Sequence, residues 1–280
     1  MSRIIQGWQT ADKRGKKSNR IPPFAPSKNE VGLYRKYVLF VKNDPNLPKR
    51  ALILGATPEL RDIAIENGLE SVAVDVSKQM MEKFSALMEK SGNILDKRII
   101  SDWLNIDFPE NYFGIIMGDA SFNNLATKED NESLAYICCR VLNKGGFLIL
   151  RQVVYQSDYR GYMDIQKLAN DFHNGKISWA DFFMEMRFNI FKDKIYDAKL
   201  CQYDAGKAFD LIKTLADIGQ LTADEYTRID TFRNNLKNSV YLDMDMVTML
   251  ESNGFKLQES FNDKPDLFFK YLYMLAFQKA

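Results

Sequence analysis

Four short apolar runs in the first half of the chain each stop on, or just before, a small or acidic residue. Residues 51–54 stop at Gly55, residues 71–74 at Asp75, residues 98–100 at Ser101-Asp102 and residues 112–117 at Gly118-Asp119. Runs of this length, separated by helical patterns, read as buried parallel strands. An open parallel sheet binds ligands beyond the carboxyl ends of its strands, so these four ends point to one site. In the first turn, Leu52-Ile53-Leu54-Gly55-Ala56-Thr57-Pro58-Glu59, Gly55 lets backbone approach a ligand closely. The helix that follows presents unpaired N–H groups, and Pro58 suits its first turn because the missing N–H costs nothing there. Asp75 lies about twenty residues after Gly55, where a carboxylate can accept both hydroxyls of a ribose. The chemistry implied is nucleoside binding. The plain alternative is a tight strand-to-helix turn and an unrelated surface aspartate.

The elements that position these residues follow from periodicity. Ser27, with Glu30 three residues on, predicts a capped helix carrying Val31, Tyr34, Tyr37 and Val38 on one face. Strands and helices then alternate through residues 50–154, with helices expected at 59–66, at 77–88 behind the cap Ser77, and at 128–141. A turn at 144–146 leads to a fifth strand over 147–154. Residues 155–239 read as helix after helix without a strand, dense in aromatics, with capping patterns at Ser178/Asp181 and Thr222/Glu225. The end returns to α/β, with a helix over 243–252, a strand over 255–261 and a long strand over 268–278. The expected division is a basic N-terminal arm and helix (1–49), an α/β core (50–154), a helical lid insertion (155–239) and closing elements of the core (240–280).

Taken in order and spacing, these segments resemble the class I S-adenosylmethionine (SAM)-dependent methyltransferases. Leu52–Glu59 is similar to that family's first motif, and Val72-Ala73-Val74-Asp75-Val76-Ser77 to the segment that follows it. Ser101-Asp102-Trp103 looks like the third strand end, Phe113–Asp119 with Leu125 like the fourth, Leu142-Asn143-Lys144-Gly145-Gly146-Phe147-Leu148-Ile149 like the turn before strand five, and Asn253-Gly254-Phe255 like the entry to the closing pair. The resemblance covers residues 50–154 and 240–280. It implies a Rossmann-like, mostly parallel sheet with an antiparallel closing hairpin, and SAM as cofactor. It assigns cofactor binding to Gly55, Ala56, Thr57, Glu59, Asp75, Val76, Ser77, Asp102, Trp103, Asp119 and Ala120. Departures are visible. Ile53 stands where an acid is common, and Thr57 and Glu59 replace glycines, which leaves the methionine end of SAM to Thr57 or Glu59, or to Tyr34 and Arg35. Gly114 stands where an aspartate is usual, a change read as structural.

A methyl on a sulfonium is already activated, so alignment and exclusion of water do most of the work and no catalytic triad or metal set is required. His173, the single histidine, is the weak candidate for a general base, against the plainer reading of a surface or core histidine. Arg151 at the end of the fifth strand is a candidate for an anionic substrate group, or an ion-paired arginine. Tyr34, Tyr155 and Tyr159 are candidates for a substrate pocket, against a core role.

The net charge of +1 gives no global field for nucleic acid or an acidic membrane. The basic N-terminal stretch reads as a solvated arm, and the fourth strand end lacks the Asn-Pro-Pro-aromatic pattern of amino-methylating nucleic-acid enzymes, so a small-molecule substrate is favoured over nucleic acid. Cys138, Cys139 and Cys201 form neither a disulfide framework nor a zinc pair, and no metal is expected. With no apolar run of about 18 residues, no membrane span is expected, and the expected location is cytoplasmic. Two rival readings stand beside this one. A nicotinamide oxidoreductase would need a G-x-G-x-x-G turn, which Gly55–Leu60 does not supply. A non-catalytic SAM-fold binding protein would bind SAM weakly or not at all.

Overall fold

The structure, a computed structural model, describes residues 20–157, 159–263 and 266–280. Arg3, Lys13, Arg14, Lys16 and Lys17 of the basic arm lie outside the described residues.

Helix α1 (Lys28–Asn43) starts at the predicted box: the Ser27 N–H donates to Glu30 Oε2 at 2.6 Å and the Glu30 N–H to Ser27 Oγ at 3.1 Å. Then come β1 (Arg50–Leu54), α2 (Pro58–Glu66), β2 (Glu70–Asp75), α3 (Lys78–Ser85), β3 (Asp96–Ile100), β4 (Phe113–Asp119), α4 (Lys128–Val141) and β5 (Leu142–Tyr155). After the insertion the chain closes with β9 (Tyr241–Leu242), α10 (Asp243–Ser252), β10 (Phe255–Phe261) and β11 (Leu272–Lys279). The main sheet runs β10-β11-β5-β4-β1-β2-β3, with β9 pairing onto the end of β5. Strands β1 to β5 are mutually parallel, whereas β11 is antiparallel to both β5 and β10. This is the expected Rossmann-like α/β sheet with an antiparallel closing hairpin.

Side chains alternate across the sheet, and helices cover both faces. Ala51, Ile53, Ala73, Ile115, Met117 and Ile149 pack with α1, α2 and α3. Leu52, Leu54, Val72, Val74, Ile116 and Leu148 pack with α4 and α10. Gly114 has a steric reason: a Cβ there would sit 2.2 Å from the Pro48 carbonyl oxygen and 2.7 Å from Val41 Cγ1. Any side chain would push β4 off the helix α1 and the turn after it. Helix α3 stops at Ser85, short of Met88, and the turn expected at 144–146 is an irregularity within β5, where the register with β4 shifts.

The segment between β5 and β9 contains α5 (Ile165–His173), α6 (Trp179–Phe188), α7 (Lys192–Ile195), β6 (Tyr196–Asp197), β7 (Gln202–Asp204), α8 (Ala205–Asp217), α9 (Ala223–Asp230) and β8 (Lys237–Ser239). The predicted boxes form at the starts of α6 and α9. The reading of helices alone is corrected: β6, β7 and β8 make a small antiparallel sheet. Strands of two or three residues leave too short a run for alternation to show. The expected strand over 268–278 is also corrected, because Leu267–Lys270 is a 3-10 turn. Asp181 Oδ1 accepts the Phe268 N–H at 2.7 Å, and both Phe268 and Phe269 bury in the aromatic core of the insertion.

Candidate functional site

Where β1, β2, β4 and β5 end, their carboxyl termini face helix α6 and the stretch 232–240 across a cavity of about 250 Å3. The floor is built by the strand ends. Gly55 adopts φ +116°, a conformation open to glycine, and its N–H donates to the Val74 carbonyl at 2.8 Å. A Cβ at Gly55 would point toward Trp103 Cζ2 and Asp75 Oδ2, at 3.8 and 3.9 Å. These three residues thus meet around one point. Trp103 Nε1 donates to the Val74 carbonyl at 2.7 Å, which anchors the indole at the rim of β2.

Asp75 Oδ1 accepts the Ser77 N–H at 2.7 Å, and Ser77 Oγ caps α3 by accepting from Met80 at 3.2 Å. Burial pushes the Asp75 carboxyl up to about 6, against the lowering effect of the Ser77 hydrogen bond. Asp102 Oδ1 accepts the Leu104 N–H at 3.0 Å and so starts the 3-10 turn that carries Trp103. Ala120, in the left-handed region at φ 54°, donates its N–H to the Arg151 carbonyl at 2.7 Å. Thr57 caps α2 through its backbone position alone, its side chain making no capping bond, and it lines the cavity.

Of the residues singled out in the sequence, Gly55, Ala56, Thr57, Asp75, Val76, Asp102, Trp103, Asp119, Ala120 and Arg151 line this cavity. Ser77 acts one layer back, through Asp75 and α3. Glu59 does not line it. Its carboxylate is paired with Arg20, whose guanidinium does, and which also lies 5.0 Å from the Phe84 ring.

The substrate-side candidates are redistributed. Tyr34 is fully buried and donates to the Gly118 carbonyl at 2.7 Å, so its phenol holds the end of β4 instead of facing the cavity. Arg35 is at the surface with Glu66. Tyr155 donates to the Phe188 carbonyl at 2.7 Å and Tyr159 to Glu185 Oε1, both inside the insertion and off the cavity. His173 is half-exposed, pairs with Glu225 at 2.6 Å, and does not line the cavity, so it is no general base there. Arg151 lines the wall, but its guanidinium donates to Glu30 Oε1, Asp119 Oδ1 and the Pro23 carbonyl, each at 2.9 Å. Burial opposes its charge, yet Asp119 and Glu30 outweigh that and hold its pKa above the usual arginine value. It is an internal tie, and an incoming anion would have to displace two carboxylates.

The far wall was not visible in the sequence. Phe183, Arg187 and Phe188 from α6, Asn123 and Asn124 after β4, and Phe232, Asn234 and Asn238 before β9 converge there, with Phe24 from the N-terminal segment. The Phe24 and Phe232 rings stack at 3.7 Å and 8°. These positions are far apart in the chain and carry no shared motif; aromatic density in 155–239 was the one available signal.

Among the described residues, no group of three or more His, Cys, Asp or Glu side chains is placed to hold a metal ion. None of the described helices is long and apolar enough to cross a membrane.

Residues 55–150 match a family model described as a methyltransferase domain. No curated protein matches the chain. Several solved structures share the fold along nearly their whole length. A Rhodobacter sphaeroides protein described as a zinc-dependent alcohol dehydrogenase is 14% identical, with a TM-score of 0.60 over 100% of this chain and 99% of that one. The CcbJ methyltransferase of Streptomyces caelestis is 12% identical, with a TM-score of 0.58 over 100% of both chains. The N-methyltransferase NodS of Bradyrhizobium japonicum WM9, in complex with S-adenosyl-L-homocysteine (SAH), is 8% identical, with a TM-score of 0.52 over 98% of each. At these identities the likeness is one of fold.

Proposed function

We propose that this chain is a class I SAM-dependent methyltransferase with SAM as its cofactor, and that it methylates a small-molecule acceptor held between the strand ends and the insertion. The observation that carries this reading is the continuity of one cavity from the Gly55–Asp75 floor to the aromatic wall of α6 and 232–240. A concave, aromatic-walled space suits a small planar molecule better than a polymer.

The residues fit the cofactor in this reading. Asp75 keeps one oxygen on the Ser77 N–H and offers the carboxylate to the ribose hydroxyls. Trp103, fixed through Val74, offers its ring to the adenine, with Asp102 beside it. Arg20 lines the same cavity, its guanidinium held by the Glu59 carboxylate and the Phe24 carbonyl. Bound there, SAM supplies a methyl group that needs no further activation. The chain's part is to align the acceptor and keep water out, with the insertion, residues 155–239, acting as the lid over the strand ends.

The test is incubation with methyl-labelled SAM and, separately, a small-molecule extract, total RNA and a protein lysate. Label in the small-molecule fraction is the expected result; label in RNA or protein would remove the small-molecule assignment.

A further inference from the structure

The cationic groups on the cavity wall are not equivalent. Arg20 is paired with Glu59, and Arg151 is paired with Glu30 and Asp119. Arg187, near the end of α6, lines the same cavity with no carboxylate partner among the described residues. Its surroundings are apolar: the guanidinium carbon lies 4.9 Å from the Phe188 ring centroid, 5.5 Å from Phe209 and 5.9 Å from Phe183. Its Nε is shut off from solvent and has no hydrogen-bond partner. Tyr203 donates its hydroxyl to the Arg187 backbone carbonyl at 2.7 Å, but a neutral phenol does not balance the charge. Aromatic faces balance a guanidinium charge only in part, and a buried unpaired donor such as this Nε is costly.

A second orphan stands on the same wall. Asn238 is 6% exposed and its Nδ2 donates to the Asn123 carbonyl at 2.9 Å, while its Oδ1 is buried without a partner. The wall therefore holds an unbalanced cation and an unfilled acceptor, framed by the rings of Phe183, Phe188 and Phe232. A ligand that completes it brings one negative charge, one N–H or O–H, and a flat apolar body.

We propose that Arg187 anchors the anionic group of the methyl acceptor, and that the acceptor is a small hydroxy- or amino-aromatic acid. The proposal rests on the reading that acceptor and cofactor share this cavity. Arg20 and Arg151 each already meet a carboxylate, so the Arg187 guanidinium is the cation left for an incoming anion.

Calorimetry on the full chain saturated with SAH tests this. The probes are 4-hydroxyphenylacetate, anthranilate and phenyl phosphate, set against the neutral 4-hydroxyphenylacetamide and anthranilamide. In the unmodified protein the carboxylates are expected to bind at least about tenfold more tightly than their amides, the scale of one charge-assisted contact. Phenyl phosphate binding more tightly than either carboxylate would identify the anion as a phosphate ester. In Arg187→Met the preference for acids over amides should collapse toward unity, while the SAH affinity stays within about twofold. Equal binding of acids and amides, or binding of none of the three anions, overturns the proposal without need of any variant. A fall in SAH affinity in Arg187→Met as large as the fall in acid affinity also overturns it, because the guanidinium would then serve the cofactor. Failure of SAH to bind the unmodified protein would overturn both this proposal and the reading beneath it.

Discussion

The floor and the far wall of the cavity are built by opposite means. On the floor, Gly55, Asp75, Asp102 and Asp119 sit at or just past the ends of strands, and each is tied to backbone or to a neighbouring element within a few residues or one strand spacing. Their geometry follows from the sheet itself. On the wall, Phe24, Asn123, Phe183, Arg187, Phe232 and Asn238 come from four separate stretches of chain and meet through packing of the insertion. In the proposed reading, cofactor recognition follows from the sheet itself, and acceptor recognition from the packing of the insertion.

That contrast is broken most severely at the joint between the two regions. Arg151→Met should destabilise the fold by about 3–5 kcal/mol, since it strands Glu30 and Asp119 as buried unpaired carboxylates. Urea unfolding monitored by tryptophan fluorescence measures it. Asp75→Ala should weaken SAM binding by roughly 1–3 kcal/mol, with little change at the wall. An unchanged affinity by calorimetry would remove Asp75 from the site.

The pH dependence sharpens the same point. Burial raises the Asp75 carboxyl to about 6, so the ionised form is the costly one in the free protein. Its contribution to ligand-free stability, read as the difference between the wild type and Asp75→Asn, should rise as pH falls from about 6 toward the unfolded value of about 4. SAM affinity should move the opposite way, weakening as pH falls through about 6 by up to about tenfold per unit, and this slope should vanish in Asp75→Asn. On the wall, Phe24→Ala loses a stacked pair worth about 0.5–1.5 kcal/mol beyond its buried area and should lower the melting temperature. The smallest effect belongs to His173→Gln, which should leave methyl transfer within about twofold, because the ring faces Glu225 away from the cavity.

What could be read from the residues divides along the same line. The strands β1 to β5 were legible because short apolar runs stop on Gly or Asp and alternate with helical periods, and the box at Ser27 and Glu30 placed α1. Tyr155 and Tyr159 were misplaced because an aromatic beside a strand end looks the same whether it faces a cavity or a neighbouring core; the carbonyl of Phe188 and the carboxylate of Glu185 decide it, and neither is near in sequence. Arg151 was ambiguous for the same reason, since Glu30 lies 121 residues earlier. The wall had no local grammar at all.

The capping glutamate of α1 has two jobs at once. One oxygen closes the start of the helix and the other meets Arg151, while the Pro23 carbonyl takes a further donor of the same guanidinium. A segment synthesised early therefore acquires its charge partner only when β5 is made, more than a hundred residues later. Until then Glu30 has no Arg151 to meet. Cutting the chain between residues 24 and 27 would for that reason free Arg20, Pro23 and Phe24 from the cavity wall, even though it removes none of the strands.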